Sequence, residues 1–528
     1  MIRAEYGPMR CAAVLVLCLG GGLAVAAEPA APGIDPDNPP LGLFADDWYA
    51  VTFQDKKCGY MHSTVLRKPG GREGPDVIET MTEMRISLGR GGQTVRIGTV
   101  ERSTETIAGE ILGFSSETDM SLMSVRMSGV VKDGRVTVTT RQFGQTTTNT
   151  YPLPAGALMN WGSYREQRRR GLAVGTRYTL PAYAPSMSAD RVLPTTFEIV
   201  SREPVDLYGR VVEAYKTRQT MKAPGLLGPM NVVSIVWLND RFVPVKLEME
   251  VAQMRIVAIL CDKAIATRAV DPPELMADTL IPVRLPEGAD QARCITYRLS
   301  RKGGPASRPS AALPALPETQ MQHVTREADG SQLVKVTRSG AVAENPVTSK
   351  PAPADLDRLR AATAYANTDD PEIQRLAREA AGDEKDPVKL VARLRAFVSR
   401  YVETKDLSVG FATAGEVARS RQGDCSEHAV LLAALARACG LPARAVSGIV
   451  YAPRFAGRND VFVWHMWTQV YAGGRWIDTD PALEQDDLDA THIAMSLVSL
   501  NDAALGEMAL PIWNLIGRLQ IEVVEVRN

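Results

Sequence analysis

Three residues spread along the chain have the types needed for thiol chemistry: Cys425, His465 and Asp480. Cys425 lies in Gly423-Asp424-Cys425-Ser426-Glu427-His428, which runs straight into the apolar stretch Ala429 to Ala436. Asp424 is a favoured helix N-cap type and Glu427 stands three residues on, a carboxylate form of the capping box. The spacing therefore predicts a helix that begins at Cys425. A thiol on a first helical turn meets unpaired N–H groups and the positive end of the macrodipole, which favour the nucleophilic thiolate. From Ala429 to Cys439 only Arg437 is charged, which predicts a helix buried nearly all round; Gly440 and Pro442 end it.

Such a nucleophile needs a base. His465 sits in the aromatic and β-branched run from Val461 to Tyr471, which reads as a strand; Gly473-Gly474 turns the chain, and Trp476-Ile477-Asp478-Thr479-Asp480-Pro481 returns. With a two-residue loop, Asp480 falls opposite Trp467. Trp467 shares a strand face with His465, so Asp480 becomes the diagonal neighbour of His465, while Asp478, of the same parity, lies nearer the turn. The expected set is thiolate Cys425, base His465, and Asp480 holding the imidazole. The backbone N–H of Cys425 is the natural first oxyanion donor, the Gln422 side chain a candidate second, and Trp464 and Trp467 candidate cleft walls. His428, one helical turn from Cys425, is the rival base, and Glu427 reads as a cap rather than an acid. Taken singly, a cysteine on an apolar helix is a small hydrophobe and Asp-Pro only a turn; the joint spacing carries the chemistry.

Gly-Asp-Cys-Ser-Glu-His-Ala at a helix start, Gly-Leu-Pro-Ala-Arg-Ala-Val-Ser-Gly after it, His465-Met466-Trp467 with Tyr471, and Trp476 with Asp480-Pro481 resemble the transglutaminase-like domain of bacteria. The resemblance covers roughly residues 370 to 500. It implies a papain-like core, a helix bearing the cysteine against an antiparallel sheet bearing the histidine and aspartate. It also implies acyl transfer through a thioester, with Cys425, His465 and Asp480 as the triad by position. Methionine stands at 466 where alanine is frequent in the family, a difference of packing more than of chemistry.

Further elements must deliver these residues. Asp370-Pro371 and Asp386-Pro387 each place an N-cap before a proline at the first helical position, and Val388, Val391, Leu394, Val398 and Val402 recur at helical spacing. Thr413-Ala414-Gly415-Glu416 is a capping box for a short helix leading to the Arg421-Gln422-Gly423 turn. Upstream, residues 45 to 268 read as a β-rich domain: Asp133-Gly134 joins two alternating runs, and Val245 to Val251 alternates cleanly. Residues 275 to 345 hold the candidate strands Leu280 to Val283, Cys294 to Leu299 and Leu333 to Thr337, expected as a small sandwich-like domain. Linkers lie at Lys302 to Pro309 and Ala343 to Pro353. The expected fold class is α+β: a C-terminal papain-like or transglutaminase-like core over 355 to 528, preceded by β-rich antiparallel domains.

Composition bounds the remaining classes. The chain has 528 residues, 45% hydrophobic and 23% charged, enough for about three cores. A net charge of -1 argues against a general role on nucleic acid or anionic lipid. Arg3 and Arg10 precede the apolar run Cys11 to Ala24, and Ala24-Val25-Ala26 is a small-residue cleavage site, so residues 1 to 27 read as an export signal. Leu17 before Cys18 argues against a lipoprotein, and no other stretch is apolar enough to span a bilayer. The expectation is a periplasmic or extracellular protein without a stable membrane anchor. Of seven cysteines, Cys11 and Cys18 leave with the signal; Cys58, Cys261, Cys294, Cys425 and Cys439 remain, an odd set that keeps at least one thiol unpaired within the chain.

The functional expectation is an exported acyl-transfer enzyme acting on peptide or glutamine amide bonds, with a protein or peptide substrate and no cofactor. Two other classes stand beside it. One is a binding or scaffold protein with a degenerate transglutaminase-like domain. The other is a metal-dependent enzyme built on Glu484-Gln485-Asp486-Asp487-Leu488-Asp489, but that cluster lacks the spaced ligands and glycine of a calcium loop and reads as a solvated turn, with His492 after it structural. Nothing in the sequence gives the oligomeric state.

Overall fold

The computed structural model describes residues 34–70, 74–90, 93–120, 123–142, 145–223, 230–251, 254–274, 279–302, 313–341, 351–405, 412–501 and 515–528. The export signal expected at residues 1 to 27 lies outside these, as do most of both expected linkers. The chain divides into two compact units, one ending at Pro273, the other formed chiefly by Glu274–Asn528. Among the described residues no helix is long and apolar enough to cross a membrane.

The first unit is one antiparallel sheet of fourteen described strands, each paired with its neighbour in sequence except at the seam where Gly42–Phe53 meets Met254–Cys261. The Asp133-Gly134 turn joins Met123–Lys132 to Arg135–Gln142 as its composition predicts, with both turn residues at positive φ. A helix, Asn160–Arg170, joins the two edge strands Gln145–Pro152 and Arg177–Ala182. A buried carboxylate satisfies its start. Glu105 accepts the N–H groups of Trp161 and Gly162 at 2.9 and 2.8 Å and the Ser103 hydroxyl at 2.7 Å. Two orphan donors of a helix start are thus satisfied from outside the helix.

The second unit has two sheets around one core. Ala443–Phe455 is paired on one side with Arg458–Ala472 and on the other with Ile493–Val498; Arg458–Ala472 also pairs Arg475–Thr479 and the short strand Ile281–Pro282. The other sheet runs Gln322–Arg326, Gln332–Thr337, Cys294–Arg301 and the C-terminal strand Leu519–Arg527. The segment 275 to 345, expected as a small domain of its own, therefore needs a strand from the far end of the chain. It also shares its hydrophobic core with the first sheet: Ile295, Tyr297, Leu299 and Val336 pack in one cluster with Val446, Phe462, Trp467 and Ile493. Three strands have too little apolar face to bury on their own, so the boundary near 345 marks a change of secondary structure and not the edge of a core.

The helices form as their caps predict. Asp370 and Asp386 accept backbone N–H groups ahead of Pro371–Ala381 and Pro387–Tyr401, and Thr413 with Glu416 closes a full capping box on Ala414–Ser420. Val388 of the predicted apolar stripe is 37% exposed, whereas Val391, Leu394 and Val398 are buried. Cys425–Ala438 is buried from Ser426 to Arg437. Arg437 is tolerated because its guanidinium donates to the carbonyls of Ala443, Ala361 and Ser499, capping loose chain ends; burial still pushes it down to about 10.

Candidate active site

The helix bearing Cys425 starts where the chain is most constrained. Asp424 accepts the Ser426 N–H at 2.8 Å, and Glu427 folds back to accept the Asp424 N–H at 2.9 Å, the reciprocal capping box the sequence predicts. Gly423 makes this possible. It sits at φ +151°, and a Cβ there would lie 2.2 Å from the Glu427 side chain. Glu427 is fully buried and also accepts the Ala412 N–H at 2.8 Å. Burial first, then the neighbouring Asp424 charge, pushes Glu427 up to about 8. At neutral pH the cap therefore carries less negative charge than two carboxylates suggest, and the positive end of the helix remains available to Cys425. The thiol is half-buried while the residues after it on the helix are closed off.

The partner strand is locked to this helix. Thr468, on Arg458–Ala472, donates to the Ala429 carbonyl at 3.1 Å, three residues from His465. The hairpin loop is Gly473-Gly474, both at positive φ, with Ala472 paired to Arg475 and Thr468 to Thr479. The next residue on the returning chain is Asp480, and its Oδ2 lies 2.6 Å from His465 Nε2. Opposite His465 on the central strand is Gly448, where a Cβ would meet the Ile493 carbonyl at 2.3 Å and the Trp467 ring at 2.6 Å. Only glycine lets these layers approach so closely.

Electrostatics complete the arrangement. Burial works against a charged His465, but the Asp480 charge and then the Cys425 charge outweigh it, helped by the ring's hydrogen bonds to both, and hold the imidazole up at about 10. Cys425 is thus hydrogen-bonded to a ring whose Nε2 is already taken by Asp480, leaving Nδ1 for the sulfur. Burial would raise Asp480, yet the His465 charge and hydrogen bonds from both His465 and His492 bring it well below the ordinary carboxylate range. Its Oδ1 accepts the N–H groups of Ala482 and Leu483 at 2.8 and 3.0 Å.

Residues 374–481 match the model of the Transglutaminase-like superfamily. The chain carries a transglutaminase-like domain. Among solved structures, a candidate cysteine protease from Cytophaga hutchinsonii is 17% identical, covering 44% of this chain and 86% of that one, with a TM-score of 0.27. A β-barrel-like domain of unknown function from Brucella abortus is 12% identical over 42% of this chain and 96% of that one, TM-score 0.29. A candidate protease from Parabacteroides distasonis is 12% identical over 78% of this chain and 68% of that one, TM-score 0.20. No curated protein matches the chain.

Within the transglutaminase-like domain other expected site residues fall elsewhere. Trp467 is 2% exposed and donates to Asp478 at 2.9 Å, so it is core beneath His465 and not a cleft wall. Trp464 alternates to the opposite strand face from His465 and packs, half-buried, against the same core. Gln422 is half-buried and bridged to Thr404 through the backbone. His428 turns its Nδ1 onto the Asp424 carbonyl at 2.6 Å, and burial lowers its pKa. Asp478 accepts from Trp467 and Gln469, a packing role.

The acidic cluster is largely the solvated turn expected, with Glu484, Asp486 and Asp487 exposed, and its charges are individually paired. Asp486 pairs with Arg395, Asp487 with Arg338, and Asp489 is nearly buried against Thr491 and His492. Its carboxylates point to separate partners, so they do not converge on a cation. Among the described residues, the one group whose ligand atoms cluster closely enough for a metal is His465, Asp480 and His492. Those atoms meet each other at 2.6 and 3.4 Å as hydrogen-bond partners, and an ion would have to displace that contact. Sequence reasoning passed over the link from Asp480 to His492 and Asp489. The signal was Asp489-Ala490-Thr491-His492, a short polar run directly after the triad candidate. No disulfide joins any of the five described cysteines, Cys58, Cys261, Cys294, Cys425 and Cys439.

Proposed function

We propose that the transglutaminase-like domain is a cysteine acyltransferase of papain-like type that cleaves peptide or glutamine amide bonds. The observation that carries this reading is a half-exposed thiol at a helix start, hydrogen-bonded to an imidazole whose far nitrogen is held by a buried carboxylate. That set supports nucleophilic catalysis because it supplies a thiolate and a proton donor in contact before substrate arrives.

In this mechanism the Cys425 thiolate attacks the amide carbonyl carbon, and the C=O electron pair moves onto oxygen. The Cys425 backbone N–H supports the oxyanion; the N–H groups of Asp424 and Ser426 on either side are taken up by the capping box. His465 gives its Nδ1 proton to the leaving nitrogen as the C–N bond breaks, which leaves a thioester. Asp480 keeps Nε2 as the other protonated position and stabilises the imidazolium before and after the transfer. Water, deprotonated by neutral His465, then releases the acid; an amine in its place would yield a cross-link.

The apolar amino-terminal run and its small-residue site would export the enzyme, so its protein or peptide substrates are outside the cytoplasm in this reading. The test is to incubate the purified protein with glutamine-containing peptides, with and without a primary amine, and follow products by mass. Amide cleavage or amine incorporation that vanishes in Cys425→Ala supports the proposal; undiminished turnover in that variant overturns it.

A further inference from the structure

The hydrogen-bonded chain that begins at Cys425 does not stop at Asp480. His492 Nε2 lies 3.4 Å from Asp480 Oδ2, the oxygen that His465 also uses, and His492 Nδ1 lies 3.2 Å from Asp489 Oδ1. Asp489 is anchored in turn by the Thr491 N–H and hydroxyl at 2.9 and 2.6 Å and by Gln485 at 3.0 Å. Tyr297 secures the same loop, donating to the Ala490 carbonyl at 3.0 Å, and Gln322 binds the Ala494 backbone from both its amide atoms. The His492 side chain is fully buried, with the Trp467 ring set edge-on at 5.3 Å.

Resting on the reading of Cys425, His465 and Asp480 as the reacting set, we propose that His492, held by Asp489, is a positioning residue that fixes Asp480 and supplies a permanent positive charge behind it.

A histidine that faces a carboxylate oxygen with each ring nitrogen can donate from both only as the imidazolium. A cation in this fully closed position is costly unless it is paired, and two carboxylates pair it. Packing alone would not require that arrangement, because an uncharged ring of similar size could fill the space beside Trp467 without it. Asp480 receives donors on both oxygens, two backbone N–H groups on Oδ1 and two histidines on Oδ2, so the carboxylate cannot swing about its last torsion. Oδ2 stays aimed at His465, and His465 stays aimed at the thiol.

The charge has its own consequence. The groups that face this pair are His465 and Asp478 from the hairpin, His428 from the helix of Cys425, Arg395 from Pro387–Tyr401, and Asp489 from the following loop. Among them a buried positive His492 favours the thiolate at Cys425 and shares the Asp480 charge with His465. His492 keeps both protons throughout; it takes part in no transfer.

The experiment needs no substrate. The rate of Cys425 alkylation by iodoacetamide is followed against pH by peptide mass in wild type, His465→Ala, His492→Gln, His492→Ala and Asp489→Asn. Loss of the charge in His492→Gln is expected to raise the pH midpoint at which Cys425 becomes reactive by about one unit, roughly tenfold slower alkylation on the acid side. His492→Ala, which also frees Asp480, is expected to shift further, and Asp489→Asn to shift in the same direction by less. Folded His492→Gln and Asp489→Asn proteins with the wild-type midpoint would overturn the inference while leaving the reacting set intact. Slow alkylation of wild type, equal to that of His465→Ala, would remove the reacting set and the inference with it.

Discussion

Both units of this protein place a buried carboxylate at the start of a helix, and they use it differently. In the first unit Glu105, from a strand, accepts the N–H groups of Trp161 and Gly162, and the helix start is thereby occupied. In the second, Glu427 comes from within its own helix and folds back to Asp424 and Ala412, so the first-turn position is left to Cys425. Burial raises both carboxyls. The first device anchors a helix; the second anchors a helix and presents a thiol beside His465. A positive helix end becomes reactive only when the group that satisfies its backbone leaves a nucleophile and a base in contact.

Variants that act on one unit and spare the other sharpen this contrast. The largest effect is expected in the second unit, where Cys425→Ala should abolish turnover without changing the melting temperature. Asp480→Asn should slow turnover by about a hundredfold or more, since the imidazole loses the partner that orients it. The pH profile should change with it. The His465 proton is held up at about 10, so its contribution to stability and to the ion pair is complete below the ordinary value of 6.5 and lost as pH rises toward about 10. In Asp480→Asn that alkaline limb should move down, as a pH–rate series on the two proteins would reveal.

Glu427→Ala comes next, with the Ala412 and Asp424 N–H groups left unpartnered in a closed site. A loss of about 1–3 kcal/mol in denaturant melts of the second unit is expected, with slower Cys425 alkylation. Because burial holds this carboxyl up at about 8 against an ordinary 4.5, its contribution fades as pH rises between those values, and Glu427→Gln should flatten that slope. Glu105→Ala is the mirror experiment: a similar loss of about 1–3 kcal/mol confined to the first unit, with Cys425 alkylation unchanged. Altered alkylation there would break the contrast. The smallest expected change is at Asp47, buried with its Oδ2 unpartnered among the described residues and raised to about 7, chiefly by burial and then by Asp46. Asp47→Asn should melt higher than wild type above about pH 7 and equally at low pH, where the native carboxyl is already neutral.

The parts of the site governed by local rules were legible in the sequence. A two-residue Gly-Gly loop leaves one register, so the position of Asp480 beside His465 followed from strand alternation alone. Caps at Asp370, Asp386, Thr413 and Asp424 follow from single side chains reaching back one turn. What escaped depends on the path of the chain over longer distances. Asp489 and His492 reach Asp480 only after a turn that includes Glu484 at φ 62°, and the exposed Asp486 and Asp487 meet Arg395 and Arg338 from distant parts of the chain. That Trp467 and Trp464 pack into a shared core and do not line a cleft is not visible from one strand. The same holds for the fold: in the first unit the Asp133-Gly134 hairpin and the strand through Val245 to Val251 were readable, but not the seam that pairs Trp48 with Cys261, and the C-terminal strand that completes the small sheet gave no sign of its partner.

Thiol chemistry at this site requires that Cys425 exist as a thiolate paired with His465. Its most direct test is the rate of iodoacetamide modification at about pH 5.5, located by mass, in wild type beside His465→Ala. An ordinary thiol, with a pKa near 8.5, is almost unreactive there. Rapid single modification at Cys425 that is lost in His465→Ala is the predicted result. Slow modification, equal in the two proteins, would contradict it.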